Sequence, residues 1–378
     1  MNSIATLLQA AKYVESLERS MRYKLQDLPD EIILKILSYA DVKDLTSCGQ
    51  LSKRIRNISQ DNSLWVTASF EKKIVKLELL ELILSKGCKI LNISNSTIVG
   101  RLSSRIENQL RVLHLSQSSW GCPTLGCPDS VYHERNIDVL EQLLFSCCSL
   151  QQLELRGLSI TSNMAVSICK NGKTLQALNL SHSFVDESVM DNIVPNGNLQ
   201  AIFQCCQELK EINLNFINGE EGLSEESFDM KLLVNNISEK VEKLNLRNND
   251  IKDDHIKILL SRCNKIKTLS LETYFMTDDS LTYIRKYLNH ALEELSLVED
   301  GTGVEDGNGI TFTGFLELKS MPRLKILNLY HEKNCVEIQY LRKYLPHIKI
   351  SLSLFHHWQM KCFDFCSNIT EEKIGIDF

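Results

Sequence analysis

The stretch Leu150-Gln-Gln-Leu153-Glu-Leu155-Arg156, followed by Leu175-Gln-Ala-Leu178-Asn-Leu180, decides how this chain folds. The same L-x-x-L-x-L pattern reads Leu110-Arg-Val-Leu113-His-Leu115 upstream. Downstream it returns beginning at Leu209, Val241, Ile266, Leu292 and Leu324, with weaker copies at Ile90–Ile93 and Ile348–Leu352. Most spacings fall between 22 and 34 residues and one reaches 40. Each unit is too small to bury its apolar face alone, so stacked neighbours must supply a shared core.

Between the patterned segments lie helical signals. Residues 249–260 and 277–288 begin with Asp or Thr caps and continue with apolar residues three and four apart. Asp186 is expected to start a corresponding helix after Ser183. Cys147, Cys206 and Cys263 each stand three residues before a unit's first apolar position, where a small hydrophobe suits a tight helix-to-strand turn. The pattern and its period match the leucine-rich-repeat signature with insertions, and the cysteine placement resembles the cysteine-containing subclass of those repeats. The expected fold is an α/β solenoid, a leucine-rich-repeat arc of about ten repeats.

The 378 residues carry a net charge of −6, and 43% are hydrophobic. There is no basic stripe of the kind a nucleic-acid binder needs. Nor is there an apolar run long enough to span a bilayer. Thirteen cysteines with no secretory signal point to free thiols in a reducing compartment, nucleus or cytoplasm. Residues 1–24 read as one amphipathic helix, with Ile4, Leu7, Leu8, Ala11, Val14, Leu17 and Met21 on its apolar side.

Residues 25–70 have a different character. Leu25 and Leu28-Pro29-Asp30-Glu31 open a short helix bearing Ile32, Ile33, Ile36, Leu37 and Ala40, an apolar band wider than one face. Pro29 suits the first turn, while Asp30 and Glu31 complement the positive helix end. Asp41 is the expected cap of the next helix. A module of this size cannot enclose the whole band, so part of it should face the repeats or another protein.

Leu28-Pro29-Asp30-Glu31, closed after a fixed helical span by Ser63-Leu64-Trp65, resembles an F-box of three small helices. The chain departs from many F-boxes at Ile55, after Lys53-Arg54, where a Trp is common. The resemblance implies a SKP-type adaptor, and through it a cullin, as partners. It also implies an adaptor-binding set of Leu25, Leu28, Pro29, Glu31, Ile32, Ile33, Ile36, Leu37 and Trp65.

Beyond the F-box, the segments 233–246, 315–327 and 340–350 and the tail with Trp358 are similar to the S-phase kinase-associated protein 2 type of F-box/leucine-rich-repeat protein. The chain differs from that type in starting close to the motif and in an insertion at 116–137. The implied function is that of a non-catalytic specificity subunit of a SKP–cullin–F-box ubiquitin ligase. The implied targets include cyclin-dependent-kinase inhibitors, held with a small cyclin-kinase accessory subunit. The alternative is an interaction scaffold that transfers no ubiquitin.

In L-x-x-L-x-L the fourth and sixth positions point inward, so the third, fifth and seventh should line the concave face. Those positions hold His114, Glu154, Arg156, Asn179, Asn213, Asn215, Lys243, Asn245, Arg247, Ser270, Glu272, Ser296, Asn328 and Tyr330. Their charge is mixed, with no arginine cluster able to clamp a phosphate. Trp358, Phe363 and Phe365 in the tail (354–378) are the further candidates for substrate or accessory-subunit binding, beside the bland role of capping the last repeat.

No metal or cofactor is expected. Cys122, Cys127 and His133, or the tail's His356, His357, Cys362 and Cys366, lack zinc-site spacing. Asp306, Asn308 and Glu317 fail as a calcium loop because Ile310 and Thr311 occupy positions that need a ligand and a glycine. No nucleotide-binding loop or catalytic motif is present.

Overall fold

The structure is a computed structural model and describes residues 27–99, 108–116, 139–185, 197–215, 230–247, 251–298, 309–330 and 335–353. It opens with three short helices, α1 (Asp30–Leu37), α2 (Val42–Cys48) and α3 (Lys53–Ser59), and a single tight turn of helix at Asn62–Trp65. Local chemistry sets each start. Pro29 is the residue before α1, and its carbonyl accepts from Ile32 and Ile33 at 3.1 Å each. Asp41 caps α2 by accepting from the Asp44 N–H at 2.8 Å, as expected. Ser52 caps α3 through the Ile55 N–H at 3.1 Å, and Asp61 holds the final turn through Ser63.

An α/β region follows. Its strands in chain order begin β1 (Thr67–Ser69), β2 (Ile74–Lys76), β3 (Ile90–Asn92), β4 (Thr97–Val99), β5 (Val112–His114), β6 (Gln152–Glu154) and β7 (Ser159–Ile160). They continue as β8 (Ala177–Asn179), β9 (Phe184–Val185), β10 (Glu211–Asn213), β11 (Lys243–Asn245) and β12 (Thr268–Glu272). The last are β13 (Glu294–Val298), β14 (Ile326–Tyr330) and β15 (Lys349–Ser353).

Eleven of these form one parallel sheet in the order β1-β3-β5-β6-β8-β10-β11-β12-β13-β14-β15. Each L-x-x-L-x-L segment, including both weak copies, supplies one strand, and the registers run without a slip. Two small sheets, β2-β4 and β7-β9, were not foreseen. Helices follow the strands and pack on one another in sequence: Ser162–Lys170 on Asn198–Cys205, then Met230–Asn236, Asp253–Arg262 and Asp278–Leu288. The Asp186 start falls outside the described residues.

Among the described residues one apolar core runs from Ile33 in α1 to Ile350 in β15. The patterned leucines Leu150, Leu153, Leu155, Leu175, Leu178 and Leu180 are all buried in it. Cys147, Cys206 and Cys263 are fully buried, as small hydrophobes at the helix-to-strand turn should be. Burial pushes each of these thiols up to about 12. The unit between Cys147 and Cys206 uses Asn171 instead. Its buried amide donates to the carbonyls of Cys147 and Ser167 and accepts from the Leu150 N–H at 2.9 Å.

The helical module is joined directly to the first strand of the sheet. The Val66 carbonyl accepts from Lys89 and Ile90, and Trp65, Ala68 and Phe70 belong to the common core. Among the described residues no helix is long and apolar enough to cross a membrane, and no group of three His, Cys, Asp or Glu side chains could hold a metal. The Cys122–His133 and tail clusters lie outside the described residues, and Glu317 is paired with Arg285 at 2.5 Å.

Candidate functional site: a helical face and a sheet face

The apolar band of α1 divides. Ile33 and Leu37 turn inward and are buried, whereas Ile32 and Ile36, one turn apart, remain 48% and 44% exposed. Tyr39 and Leu51, at 81% and 67% exposed, stand outside the core as well. Lys35 lies 5.5 Å from the centre of the Tyr39 ring. Pro29 and Glu31 are exposed and Leu28 is half-buried.

The start of α1 is clamped from α3. Arg54 donates from Nε to Asp30 at 2.7 Å and from its terminal nitrogen to the Leu28 carbonyl at 2.7 Å. Arg56 donates to the Gly49 carbonyl at 2.8 Å, tying α3 to the end of α2. Ile55 is buried within the module, and Trp65 is buried with its indole N–H donating to the Ser59 carbonyl at 2.9 Å.

On the sheet, the fifth-position residues form one registered row: Asn92, His114, Glu154, Asn179, Asn213, Asn245, Ser270, Ser296, Asn328 and Ser351. Much of this row is closed in. Asn179, Asn213, Asn245, Ser270 and Ser296 are buried, as are Asn215 and Arg247 two residues past their strands' asparagines. They were expected as open strand residues. Strands about 4.8 Å apart leave short side chains in a row shielded by their neighbours. His114, Glu154, Arg156, Lys243, Glu272 and Asn328 are half-buried. Tyr330 is placed by its strand pairing with Val298 and Ser353.

His114 and Glu154 face each other across β5 and β6, with His114 Nδ1 2.8 Å from a Glu154 carboxylate oxygen. The Ser116 hydroxyl donates to the other oxygen. Burial pushes the Glu154 carboxyl up, but the His114 and Ser116 hydrogen bonds and the Arg156 charge outweigh it and hold it below its ordinary range. Burial, with the Arg156 charge, holds the His182 imidazole low. Lys243 pairs with Glu211 at 2.7 Å, and Asn328 donates to Glu294 and Ser296.

Residues 25–71 match the F-box-like family model. The N-terminal unit is an F-box-like domain. Over 65 residues the chain is 37% identical to a putative FBD-associated F-box protein of Arabidopsis thaliana, covering 17% of this chain and 17% of that protein.

Within the F-box-like domain, the sequence-expected set Leu28, Pro29, Glu31, Ile32 and Ile36 stays at or near the surface. Ile33, Leu37 and Trp65 do not, because they build the core that carries it. Leu25, and Trp358, Phe363 and Phe365 of the tail, lie outside the described residues. Sequence reasoning missed Tyr39, Leu51 and Arg54. A large apolar residue just past a helix end was the available signal for the first two. The carboxylate at Asp30, which draws the Arg54 side chain back to α1, was the signal for the third.

Proposed function

We propose that this protein is a non-catalytic substrate receptor of a SKP–cullin–F-box ubiquitin ligase. F-box domains as a class bind Skp1-type adaptors and, through them, cullins. The observation that carries the proposal is the outward pair Ile32 and Ile36, with Tyr39 and Leu51, on a domain matched to that family. Because about half of each of Ile32 and Ile36 is already covered, burying the rest against a partner contributes about 0.7–1.4 kcal/mol each.

Residues 71–353 are read as a leucine-rich-repeat solenoid that holds the target. The unbroken order of parallel strands and the in-sequence packing of the helices support this. Within the reading, the protein is of the S-phase kinase-associated protein 2 type and acts in nucleus or cytoplasm. Its targets are cyclin-dependent-kinase inhibitors, presented with a small cyclin-kinase accessory subunit on the sheet face and the tail.

The test is co-purification of the full chain with a Skp1-type adaptor, comparing wild type with Ile32→Asp/Ile36→Asp. A complex with the wild type that is lost in a folded variant supports the assignment. No complex with folded wild type overturns it. Reconstituted ubiquitination of a bound target then separates a ligase subunit from a scaffold that only binds the adaptor.

A further inference from the structure

Three neighbouring strands end alike. Asn179, Asn213 and Asn245 stand in register on β8, β10 and β11. Each lies between two buried aliphatic residues, Leu178 and Leu180, Ile212 and Leu214, or Leu244 and Leu246, so strand alternation sends its side chain to the sheet face away from the core. Each carboxamide oxygen accepts the backbone N–H two residues on, from Ser181 at 3.0 Å, Asn215 at 3.1 Å and Arg247 at 3.2 Å.

That bond fixes the orientation of the amide, with its oxygen toward the backbone, and leaves the two N–H donors of the amino group unused. Among the described residues none of the three amino groups has a hydrogen-bond partner. The residues are only 5%, 2% and 5% exposed, yet these nitrogens are not among the fully enclosed polar atoms. An outside acceptor can therefore reach them. The result is a row of donors whose orientation is already fixed, which lowers the ordering cost of binding.

The surroundings set the sign of the acceptor. Arg156, two residues past Glu154, lies toward the Asn179 end, and Arg247 follows Asn245 by two residues. Glu154, beside Asn179 in the row, is already engaged by His114 and Ser116. Ser270 continues the row on β12, and Glu272 marks its far end.

We propose that the row Asn179–Asn213–Asn245 binds an extended acidic peptide, whose carboxylates and main-chain carbonyls accept from the three amide groups. From the strand spacing the row spans roughly 10 Å, about three residues of extended chain. This names the ligand class of the face assigned above to target holding. It rests on that part of the reading and not on adaptor binding.

The probe is a fluorescein-labelled peptide of alternating Glu and Ser, with its Gln-for-Glu counterpart, titrated into the full chain and followed by anisotropy. Asn213→Asp keeps the acceptor for the Asn215 N–H and the shape, but replaces the donor with an acceptor. The acidic peptide should bind wild type at least about tenfold more tightly than its counterpart. Asn213→Asp should lose about tenfold or more with an unchanged circular dichroism spectrum. Asn245→Asp reports the same result independently should the first variant fail to fold.

Equal binding of the two peptides, no binding to wild type, or wild-type binding by the folded Asp variants would overturn the proposal. Adaptor capture scored on the same preparations separates the two readings. Peptide binding lost with capture kept sinks only this one, and the reverse sinks only the ligase assignment.

Discussion

Asp253 sits in the first turn of its own helix but serves the next one. Its carboxylate accepts from the Thr277 N–H at 3.0 Å, from the Thr277 hydroxyl at 2.7 Å and from the Ser280 hydroxyl. Thr277 in turn caps the following helix by accepting from the Asp279 N–H. The expectation that Asp253's own helix starts on an Asp cap is corrected, since Lys252 precedes it and His255 accepts the Lys252 N–H at 3.3 Å. Glu141 with Thr161 and Asp278 with Thr311 repeat the arrangement. Asp253→Ala should lower stability by about 1–3 kcal/mol, the range for a lost cap and unmade hydrogen bonds. Asp253→Asn should lose less, and urea unfolding of the full chain measures both.

Gly314 is required by the next link in this chain of caps. A Cβ there would run into Asp278 Oδ1, the oxygen that accepts the Thr311 N–H. Gly314→Ala should therefore destabilise the protein in the wild-type background and do little in Asp278→Ala. A double-mutant cycle by thermal unfolding checks the coupling, and simple additivity would refute it.

Ile32 and Ile33 are neighbours with opposite consequences. Ile33→Asp places a charge in the core and should unfold the helical module or cost several kcal/mol. Ile32→Asp should leave the melting curve within about 0.5 kcal/mol of wild type, as surface changes do. Only its adaptor binding should fall. Calorimetry paired with adaptor capture distinguishes the two variants.

Acidification should weaken the sheet in two steps. The His182 pKa lies below its ordinary 6.5, so the unfolded chain takes the proton first and stability declines as pH drops below that value. The Glu154 pKa lies below its ordinary 4.5. Its contribution is complete above the carboxylate range and is lost as pH falls through the lower folded value. Glu154→Gln should flatten the second step and leave the first. Urea midpoints across the acid range test this.

Thiol reactivity should follow burial. Cys148 and Cys205 are exposed, whereas Cys147, Cys206 and Cys263 are buried with thiols near 12. At neutral pH a maleimide should label the first pair in the folded protein and the buried three only after unfolding, read by peptide mass spectrometry.

The ten strands that carry L-x-x-L-x-L or a weak copy of it, their order and their buried positions were legible in the residue pattern, whereas β1 and the β2-β4 and β7-β9 pairs were not. A side-chain period of two and a unit period of a few tens of residues admit few packings, and the leucines at fixed offsets name the buried positions. The sequence also determined the F-box-like module and the caps at Asp41 and Thr277, which are local in the chain. Packing set which half of the α1 band faces out: α1 lies against α3, Ile33 and Leu37 enter the core that Trp65 shares, and Ile32 and Ile36 stay outside it. Only the tertiary structure showed that the asparagines expected to lie open are enclosed with their amino groups unused, and that Asp253 caps a helix other than its own. Those relationships join residues about 24 positions or more apart, or depend on what a neighbouring strand covers, and no pattern along the chain encodes them.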